Sequence, residues 1–550
     1  MNNRIMAAFA PHRVRVMALA AFLSLGMASC DVTDLQPLDA LPETAAFSTP
    51  DRIGLAVTGV YNAAQSGYYD PLNGTALGTR GYPFGSAATA LGDVRGEDVV
   101  DMAGFFGIVG LNNITPSSPN VVNMWSNLYS TINQANLVID GVRTAAQNGV
   151  ISATDAEAYE GEMRFLRALS YHELVINFAK PYNDNNGNNP GVPYRDFPVN
   201  NPAALERARA LGRTPVNEVY TKMLEDLDFA ESKLPANRAG TLKVTRATKG
   251  AAIALKQRLR IHQSNWAQAK VEGDKLITGT TTFTAPAANG GYALQATPEA
   301  ASQGRASVTN ENIFSIENSS DDNSTTNGSL GSVFGSPAAA PAGIGGRGLE
   351  SISPNLLNAS FVPCDDRRRT GLTQQNGAAG AVFSAKYKDA ATYSDFAPII
   401  RYAEVLLNQA EAEANLGATG EVRALTLLNA VRGRAVSAAD LYAGLTGDAL
   451  IRAILNERRI ELVSEGFRWD DIHRLSAGPS VRFSPRPGGG IPRKLDASQA
   501  VGANYNCTTR PVINGSVADI PYSDYRFLWP IPAAEIANNP TLASQQNPGY

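Results

Sequence analysis

The chain has 550 residues and a formal net charge of −4, with 47 basic and 51 acidic residues. This balance excludes the basic surface that a nucleic-acid partner requires. Three cysteines are too few for a scaffold built from disulfides. A chain of this length can bury a large core or divide into two lobes.

The N-terminal segment predicts export and lipidation. Three arginines and no acidic residue precede an apolar run at residues 16–25, which is too short to span a bilayer but typical of a secretory signal. Two small residues then precede Cys30, as in a bacterial lipobox. We therefore expect a signal peptide at residues 1–29, a lipidated Cys30 and a polar tether over residues 30–46. The alternative is an ordinary cleaved signal in which Cys30 is incidental.

Helical periodicity then appears in pairs of segments. The predicted helices cover about 51–62, 125–142, 154–175, 215–234, 247–262, 266–277, 398–417, 421–434 and 450–465. The third opens with a capping box at Thr154 and Glu157, and Gly466 supplies a left-handed stop after the last. Helices joined in antiparallel pairs indicate a stacked solenoid similar to tetratricopeptide repeats, although the literal repeat signature is absent.

Long irregular stretches separate the helical pairs at residues 66–122, 280–395 and 476–527. Loops of this length in a compact protein are usually functional or disordered. Cys364 and Cys507 lie in or beside these stretches and can either form one disulfide or remain free. A rigid helical scaffold that carries large loops is a plausible design for a binding protein.

Motifs for catalysis and cofactors are largely absent. No nucleophile elbow and no P-loop occurs, and the G-x-G-x-x-G match at residues 343–348 follows SPAAAP, which is no buried strand. His172, His262 and His473 are far apart in the sequence, so we predict no metal site and no cofactor. The acidic residues Asp93, Glu97, Asp98 and Asp101 offer carboxylates for a glycosidase pair, but solvation or ligand hydrogen bonding is the simpler interpretation.

The most distinctive segments occur in a fixed order along the chain. They are 57–62 (VTGVYN), 125–136 (WSNLYSTINQAN), 161–168 (GEMRFLRA), 401–407 (RYAEVLL), 429–435 (NAVRGRA), 457–462 (ERRIEL), 465–471 (EGFRWDD) and the tail 529–550. This ordered set, called the landmark segments below, resembles the SusD/RagB family of nutrient-binding outer-membrane lipoproteins.

The resemblance implies an all-α fold with tetratricopeptide-like helix pairs and a large irregular, loop-rich lobe. It implies one nutrient-binding domain at residues 47–550, with an N-terminal part at 47–280 and a C-terminal part at 281–550. Such a protein is lipid-anchored in the outer membrane and exposed at the cell surface. It captures an oligosaccharide or peptide for a SusC-like TonB-dependent transporter and performs no catalysis. The alternatives are a peptide- or protein-binding helical-repeat adaptor and a secreted glycan hydrolase.

The first loop region is the predicted ligand site, because it combines aromatic rings with polar groups, and a sugar needs both. The predicted contacts are Tyr68, Tyr69, Tyr82, Phe84, Phe105, Phe106, Asn73, Arg80, Asp93, Arg95, Asp98, Asn112 and Asn113. In the alternative interpretation, Tyr82, Phe84, Phe105 and Phe106 pack this loop onto the helices.

The charged residues of the landmark segments predict a structural role instead. Arg401 with Glu404, and Arg458 with Glu461, are spaced i,i+3 and are expected to pair along one helix face. We expect these charges to lock helix packing rather than to contact the ligand.

Overall fold

The computed structural model describes residues 43–66, 69–70, 75–76, 80–302, 308–337, 345–377 and 380–550. The predicted signal peptide, the predicted lipidation site Cys30, Tyr68 and Asn73 lie outside the described residues, and so does the side chain of Tyr69. Most of the predicted tether lies outside them as well.

Long helices form the scaffold of the described chain. They are α1 (Pro50–Ser66), α2 (Ala87–Val94), α3 (Pro119–Gln147), α4 (Ala153–Phe178), α5 (Pro202–Arg209), α6 (Val216–Lys233), α7 (Lys249–His262), α8 (Trp266–Asp274), α9 (Tyr402–Asn415), α10 (Ala418–Arg432), α11 (Gly447–Leu462) and α12 (Phe467–Leu475). Shorter helices lie at Glu43–Ala46, Gly107–Gly110, Leu242–Thr245, Pro298–Ala301, Thr325–Gly328, Leu330–Phe334, Pro354–Ala359, Arg367–Gly371 and Ala533–Asn538. The predicted all-α class is confirmed.

The helices stack in the order that their pairing predicts. Helix α3 packs on α1 and α4, α4 on α6, α6 on α7, and α7 on α8. The stack then continues from α8 to α9, which packs on both α10 and α11. Between α8 and α9 the chain leaves the stack, so residues 275–401 build an irregular lobe beside it. The apolar faces of the stacked helices form one continuous core that also includes loop residues.

Two predicted helix boundaries need correction. The Ser152 side chain, rather than that of Thr154, caps α4 by accepting a hydrogen bond from the Asp155 backbone nitrogen at 3.0 Å. Serine two residues earlier satisfies the same free amide groups. Gly466 does adopt a left-handed backbone with φ of 88°, but it stands immediately before α12, whereas α11 ends at Leu462.

Short strands join distant parts of the loops in antiparallel pairs. The pairs are β1 (Tyr69–Asp70) with β2 (Thr75–Ala76), β3 (Val99–Asp101) with β5 (Glu350–Ile352), β4 (Asn312–Ile316) with β8 (Ala397–Arg401), β6 (Thr373–Gln375) with β7 (Val382–Ser384), and β9 (Gly490–Ile491) with β10 (Ile520–Pro521).

The pairing of β4 with β8 overturns the prediction that a helix begins at Pro398. Residues 397–401 form a strand instead, and the helix begins only at Tyr402. Two consecutive isoleucines follow Pro398, and β-branched side chains favour a strand when a partner is available. That partner lies about 85 residues earlier in the chain, which local periodicity does not reveal.

A disulfide links Cys364 to Cys507 across a sequence separation of 143 residues. The sequence allowed either a disulfide or two free cysteines, and the structure contains the disulfide. It ties the irregular stretch at residues 280–395 to the last irregular stretch, residues 476–527.

The charged residues of the landmark segments are buried, but their partners differ from those predicted. Arg401 binds Glu311 and Glu465, each at 2.7 Å, because it ends a strand and does not lie on a helix face. Glu404 instead binds Arg258 at 2.7 Å. Arg458 does not pair with Glu461 either, since it contacts Asp471 at 3.3 Å. These charges connect different elements, as a role in packing requires.

Candidate functional site

Most aromatic residues of the predicted ligand site lie in the core. Tyr82, Phe84 and Phe106 are buried, with 3%, 2% and 8% of their surface exposed. The Tyr82 hydroxyl accepts a hydrogen bond from the Asn120 side chain at 3.0 Å, and burial raises the pKa of Tyr82 to about 12. These three side chains pack the loop onto the helices, so the prediction that they stack on a ligand is wrong.

Arg95 is also buried and cannot meet a ligand. Its guanidinium lies 3.2 Å from the ring centroid of Trp469 and 4.9 Å from that of Trp529. It donates hydrogen bonds to the Asn177 side chain at 2.6 Å and to the Phe527 carbonyl at 3.0 Å. Both tryptophans belong to the landmark segments, so Arg95 joins the first loop region to the family scaffold. Its predicted contact with a ligand is therefore corrected to a structural one.

The acidic residues and Asn112 are likewise held inside the protein. Asp98 is buried and bound by Arg459 and by Arg468, the latter at 3.2 Å. Asp93 is buried too, and burial raises its pKa to about 7. Asn112 is buried, with a positive φ of 57°, at the turn that follows Gly107–Gly110. None of the three offers its side chain to solvent, so their prediction as ligand contacts is also wrong.

The nearby carboxylate Glu97 is fixed by the same arginines. Burial alone would raise its pKa, but the charges of Arg468 and Arg459 hold the pKa of Glu97 at about 2. A carboxylate that remains ionised and bound in this way cannot donate a proton at neutral pH. Glu97 therefore lacks the proton that a glycosidase general acid must provide.

Three of the predicted residues remain at the surface: Phe105 is half-buried, while Arg80 and Asn113 are exposed. The guanidinium of Arg80 lies 4.9 Å from the centroid of the Phe105 ring, and that of Arg347 lies 5.1 Å from it. Arg347 also donates a hydrogen bond to the Asn327 side chain at 2.8 Å. We call Phe105, Arg80, Arg347 and Asn327 the Phe105 cluster.

The loop that carries Phe105 is held by a buttressing carboxylate. Asp101, at the end of β3, accepts hydrogen bonds from the backbone nitrogens of Phe105 and Phe106 at 3.1 and 3.0 Å. The two phenylalanine rings pack edge to face, with centroids 4.9 Å apart. Because Phe106 is anchored in the core, the Phe105 ring has a fixed position at the surface. A fixed ring loses little conformational freedom when it stacks on a ligand.

A cavity of about 250 Å³ opens on the same loop. Its walls come from the segment 94–111 and from residues 494–497 with Val517, and they are mostly apolar. Lys494 lines it and donates to the Val94 carbonyl at 3.1 Å. Burial, with a smaller effect from the charge of Arg95, lowers the pKa of Lys494 to about 7. The Phe105 cluster and this cavity together form the candidate ligand surface.

Sequence reasoning missed a second group of polar side chains. His172, His262 and Asp470 lie together in the folded chain. One possible metal-ligand atom of each residue is within 4.8 Å of those of the other two. The two histidines are 90 positions apart, so sequence spacing concealed them. The available signal was that each histidine lies on a helix rich in apolar residues, in α4 and α7.

Two family models match the chain. One, described as the SusD family, matches residues 362–550, and the other, described as starch-binding associating with outer membrane, matches residues 106–261. SusD-like protein P2 of Formosa agariphila is 26% identical, over 96% of this chain and 98% of that protein.

Solved structures share the fold. A SusD superfamily protein from Bacteroides fragilis has 25% identity and a TM-score of 0.70, over 90% of this chain and 99% of that one. Surface glycan-binding protein A from Bacteroides uniformis has 18% identity and a TM-score of 0.64, over 91% and 99%. The landmark segments lie largely in the two matched regions and build the helical stack and its buried contacts. The chain belongs to the SusD/RagB family.

Proposed function

We propose that this protein binds an oligosaccharide at the cell surface and delivers it to a SusC-like TonB-dependent transporter without catalysis. The observation that carries the proposal is the Phe105 cluster of a SusD-family scaffold, since the loop that holds Phe105 also lines a 250 Å³ cavity through Gly104 and Gly107. The description of one family model as starch-binding supports it. The surface glycan-binding protein A from Bacteroides uniformis, which shares the fold, supports it as well.

The chemistry of the cluster suits a sugar. The apolar face of a pyranose stacks on an aromatic ring, while its hydroxyls need donors and acceptors. Arg80 and Arg347 supply donors next to the Phe105 ring, and Asn327 supplies an amide. Guanidinium groups also bind carboxylates well, so neutral and acidic glycans are both suitable probes.

The arrangement of the acidic side chains supports binding without hydrolysis. A retaining or inverting glycosidase needs two free carboxylates that face each other across the bond to be cleaved. Asp93 and Asp98 are buried, and Glu97 is bound by two arginines. These three carboxylates are therefore engaged in holding the scaffold.

Anchoring by Cys30 belongs to the same proposal. No helix in the described part of the chain is long and apolar enough to cross a membrane. A diacylated Cys30 would provide a firm attachment, since stable anchoring takes more than one acyl chain. The substitution Cys30→Ser should move the exported protein from the outer-membrane fraction to the soluble fraction. Continued fractionation with the membrane would contradict the anchor.

Adjacent phenylalanines provide a matched pair for testing the site. A glycan and peptide array identifies the ligand, and calorimetry then compares Phe105→Ala with Phe106→Ala. Loss of one stacked ring face, at about 1.5–2 kcal/mol, should weaken binding by Phe105→Ala roughly 10–30-fold without a change in melting. Phe106→Ala should melt at a lower temperature and, because Phe106 supports the Phe105 ring without facing the ligand, should weaken binding less than Phe105→Ala does. Unchanged affinity in both variants, or exclusive binding of peptides, would refute the glycan site.

A further inference from the structure

Three buried side chains from three helices meet inside the scaffold. His172 lies in α4, His262 is the last residue of α7, and Asp470 lies in α12. The imidazole rings of His172 and His262 meet edge to face, with centroids 4.6 Å apart. The His262 Nε2 atom is 3.9 Å from Asp470 Oδ1, beyond hydrogen-bond distance.

Each of these residues has a buried atom without a hydrogen-bond partner among the described residues. These atoms are His172 Nε2, His262 Nδ1 and Asp470 Oδ1. A buried polar atom left unpaired costs about 1–3 kcal/mol, so three together in one place need a physical explanation. His473 also has an unpaired buried atom, Nδ1, but its Nε2 lies 2.9 Å from the Ala179 carbonyl oxygen and makes a structural hydrogen bond.

The arginine beside the two histidines does not exclude a cation. Imidazole coordinates metal ions in its neutral form. The nearby Arg258 guanidinium is paired with Glu404 through two contacts of 2.7 Å, which offsets its repulsion of a cation.

Space is available next to two of the three side chains, His172 and Asp470. A cavity of about 50 Å³ is lined by His172, Glu173, Arg258, Phe467 and Asp470, among others. Asp470 and the half-buried Glu173 place two carboxyl groups on its wall. The volume is sufficient for one ion and a water molecule.

We propose that His172, His262 and Asp470 bind one divalent transition-metal ion of the zinc class and thereby tie α4, α7 and α12 together. Two imidazoles and a carboxylate suit zinc, cobalt or nickel, whereas calcium and magnesium prefer oxygen ligands alone. Bonds of about 2.0–2.1 Å place tetrahedral ligand atoms roughly 3.4 Å apart, so ligand atoms that now lie within 4.8 Å of one another approach by up to about 1.4 Å around the ion. The proposal is independent of the glycan site.

The histidine content of the chain permits a clean test. The sequence has four histidines, and only His12 and His473 lie outside the proposed site. Tag-free, full-length protein is stripped with a chelator and titrated with Co²⁺, whose visible absorption reports tetrahedral coordination. Zn²⁺ is then counted by mass spectrometry after dialysis. We expect one ion per chain and a higher melting temperature with Zn²⁺ but not with Mg²⁺ or Ca²⁺.

Variants separate this site from adventitious binding. The control variant His12→Gln/His473→Gln should retain the cobalt spectrum. In contrast, His262→Gln and Asp470→Asn should each weaken Zn²⁺ binding ~100-fold or more, because even the residues that hydrogen-bond to metal ligands contribute 10–100-fold to metal affinity. Circular dichroism checks that each variant is folded, and His172→Gln serves if one is not. The proposal is overturned if the parent protein holds no stoichiometric Zn²⁺, or if binding survives all three ligand substitutions.

Discussion

Arginine has opposite roles in two regions of this molecule. In the interior, arginines from the landmark segments are bound to carboxylates. At the Phe105 cluster, Arg80 and Arg347 are exposed and lie near an aromatic ring. The first arrangement fixes the fold, and the second leaves donors for a ligand. The comparison shows that the landmark segments identify the scaffold, whereas the proposed binding groups lie outside them.

The interior arrangement is a balanced network of buried charge. It joins five basic and five acidic side chains: Arg368, Arg401, Arg432, Arg434 and Lys386 with Asp366, Glu311, Glu457, Glu461 and Glu465. Burying an ion is unfavourable unless the ion is paired, so removing one member leaves its partners buried without an opposite charge. The network links α11 and the segment after it to β4, β8, α10 and the loop around residue 366.

The largest expected effect is acid destabilisation of the scaffold. Arginine charges, against the opposing effect of burial, hold the pKa of Glu97, Glu461 and Asp471 at about 2. In the unfolded chain these groups titrate near pH 4, so their contribution is complete above that pH and is lost as the pH falls toward 2. The expected loss is on the order of 2–3 kcal/mol for each carboxylate. Urea unfolding followed from pH 5 to pH 2 measures it.

Asp93 provides the internal control for that titration. Burial raises its pKa to about 7, so the folded state takes up a proton before the unfolded state does. Its contribution therefore makes the protein more stable as the pH falls from 7 to 4, the opposite sign to that of Glu461. Asp93→Asn should abolish this rise in stability between pH 7 and pH 4 and leave the loss of stability below pH 4 unchanged. A stability that falls steadily from pH 7 would contradict the assignment.

Removing one cation from the network should have the next largest effect. Arg401→Met leaves Glu311, Glu461 and Glu465 without their shared partner, and breaking a buried pair in this way costs about 3–5 kcal/mol. Arg482→Ala is the matched control, since its half-exposed contact with Asp448 at 3.4 Å should contribute less than about 1 kcal/mol. Chemical denaturation compares the two. Equal stability of both variants would remove the distinction between interior and surface arginines.

The disulfide should contribute somewhat less. Replacing both Cys364 and Cys507 by serine removes a constraint on a loop of 143 residues, which is typically worth about 2–4 kcal/mol. We expect a lower urea midpoint but unchanged glycan affinity at 25 °C, because the Phe105 cluster is held by Asp101 and Phe106. Alkylation with and without reductant, read by mass, first establishes that the parent contains the bond. Lost affinity in the folded double variant would show that the disulfide also shapes the site.

Much of the scaffold could be predicted because its information is local. The proline after α6 fixes that helix to within one residue at each end, and the apolar period locates α3 but leaves it six residues short at its start and five at its end. The site could not be predicted as well, because burial depends on distant partners. Asp98 looks like an exposed loop acid, yet Arg459, about 360 residues later, binds it. Arg95 likewise contacts Trp469 and Trp529, which lie several hundred residues later in the sequence.

The smallest expected effect tests the surface arginines themselves. Arg347→Gln removes a cation 5.1 Å from the Phe105 ring centroid but keeps an amide that can still hydrogen-bond. The amide offers a sugar hydroxyl fewer donors than the guanidinium does, and a hydrogen bond contributes about 0.5–1.5 kcal/mol net, so glycan affinity should fall roughly two- to twelvefold with little change in melting. Arg207 is a matched control, because its guanidinium lies 3.5 Å from the Phe197 ring, away from the Phe105 cluster. Calorimetry should find no loss of affinity for Arg207→Gln. An equal loss in both variants would mean that overall charge, rather than the geometry at Phe105, governs binding.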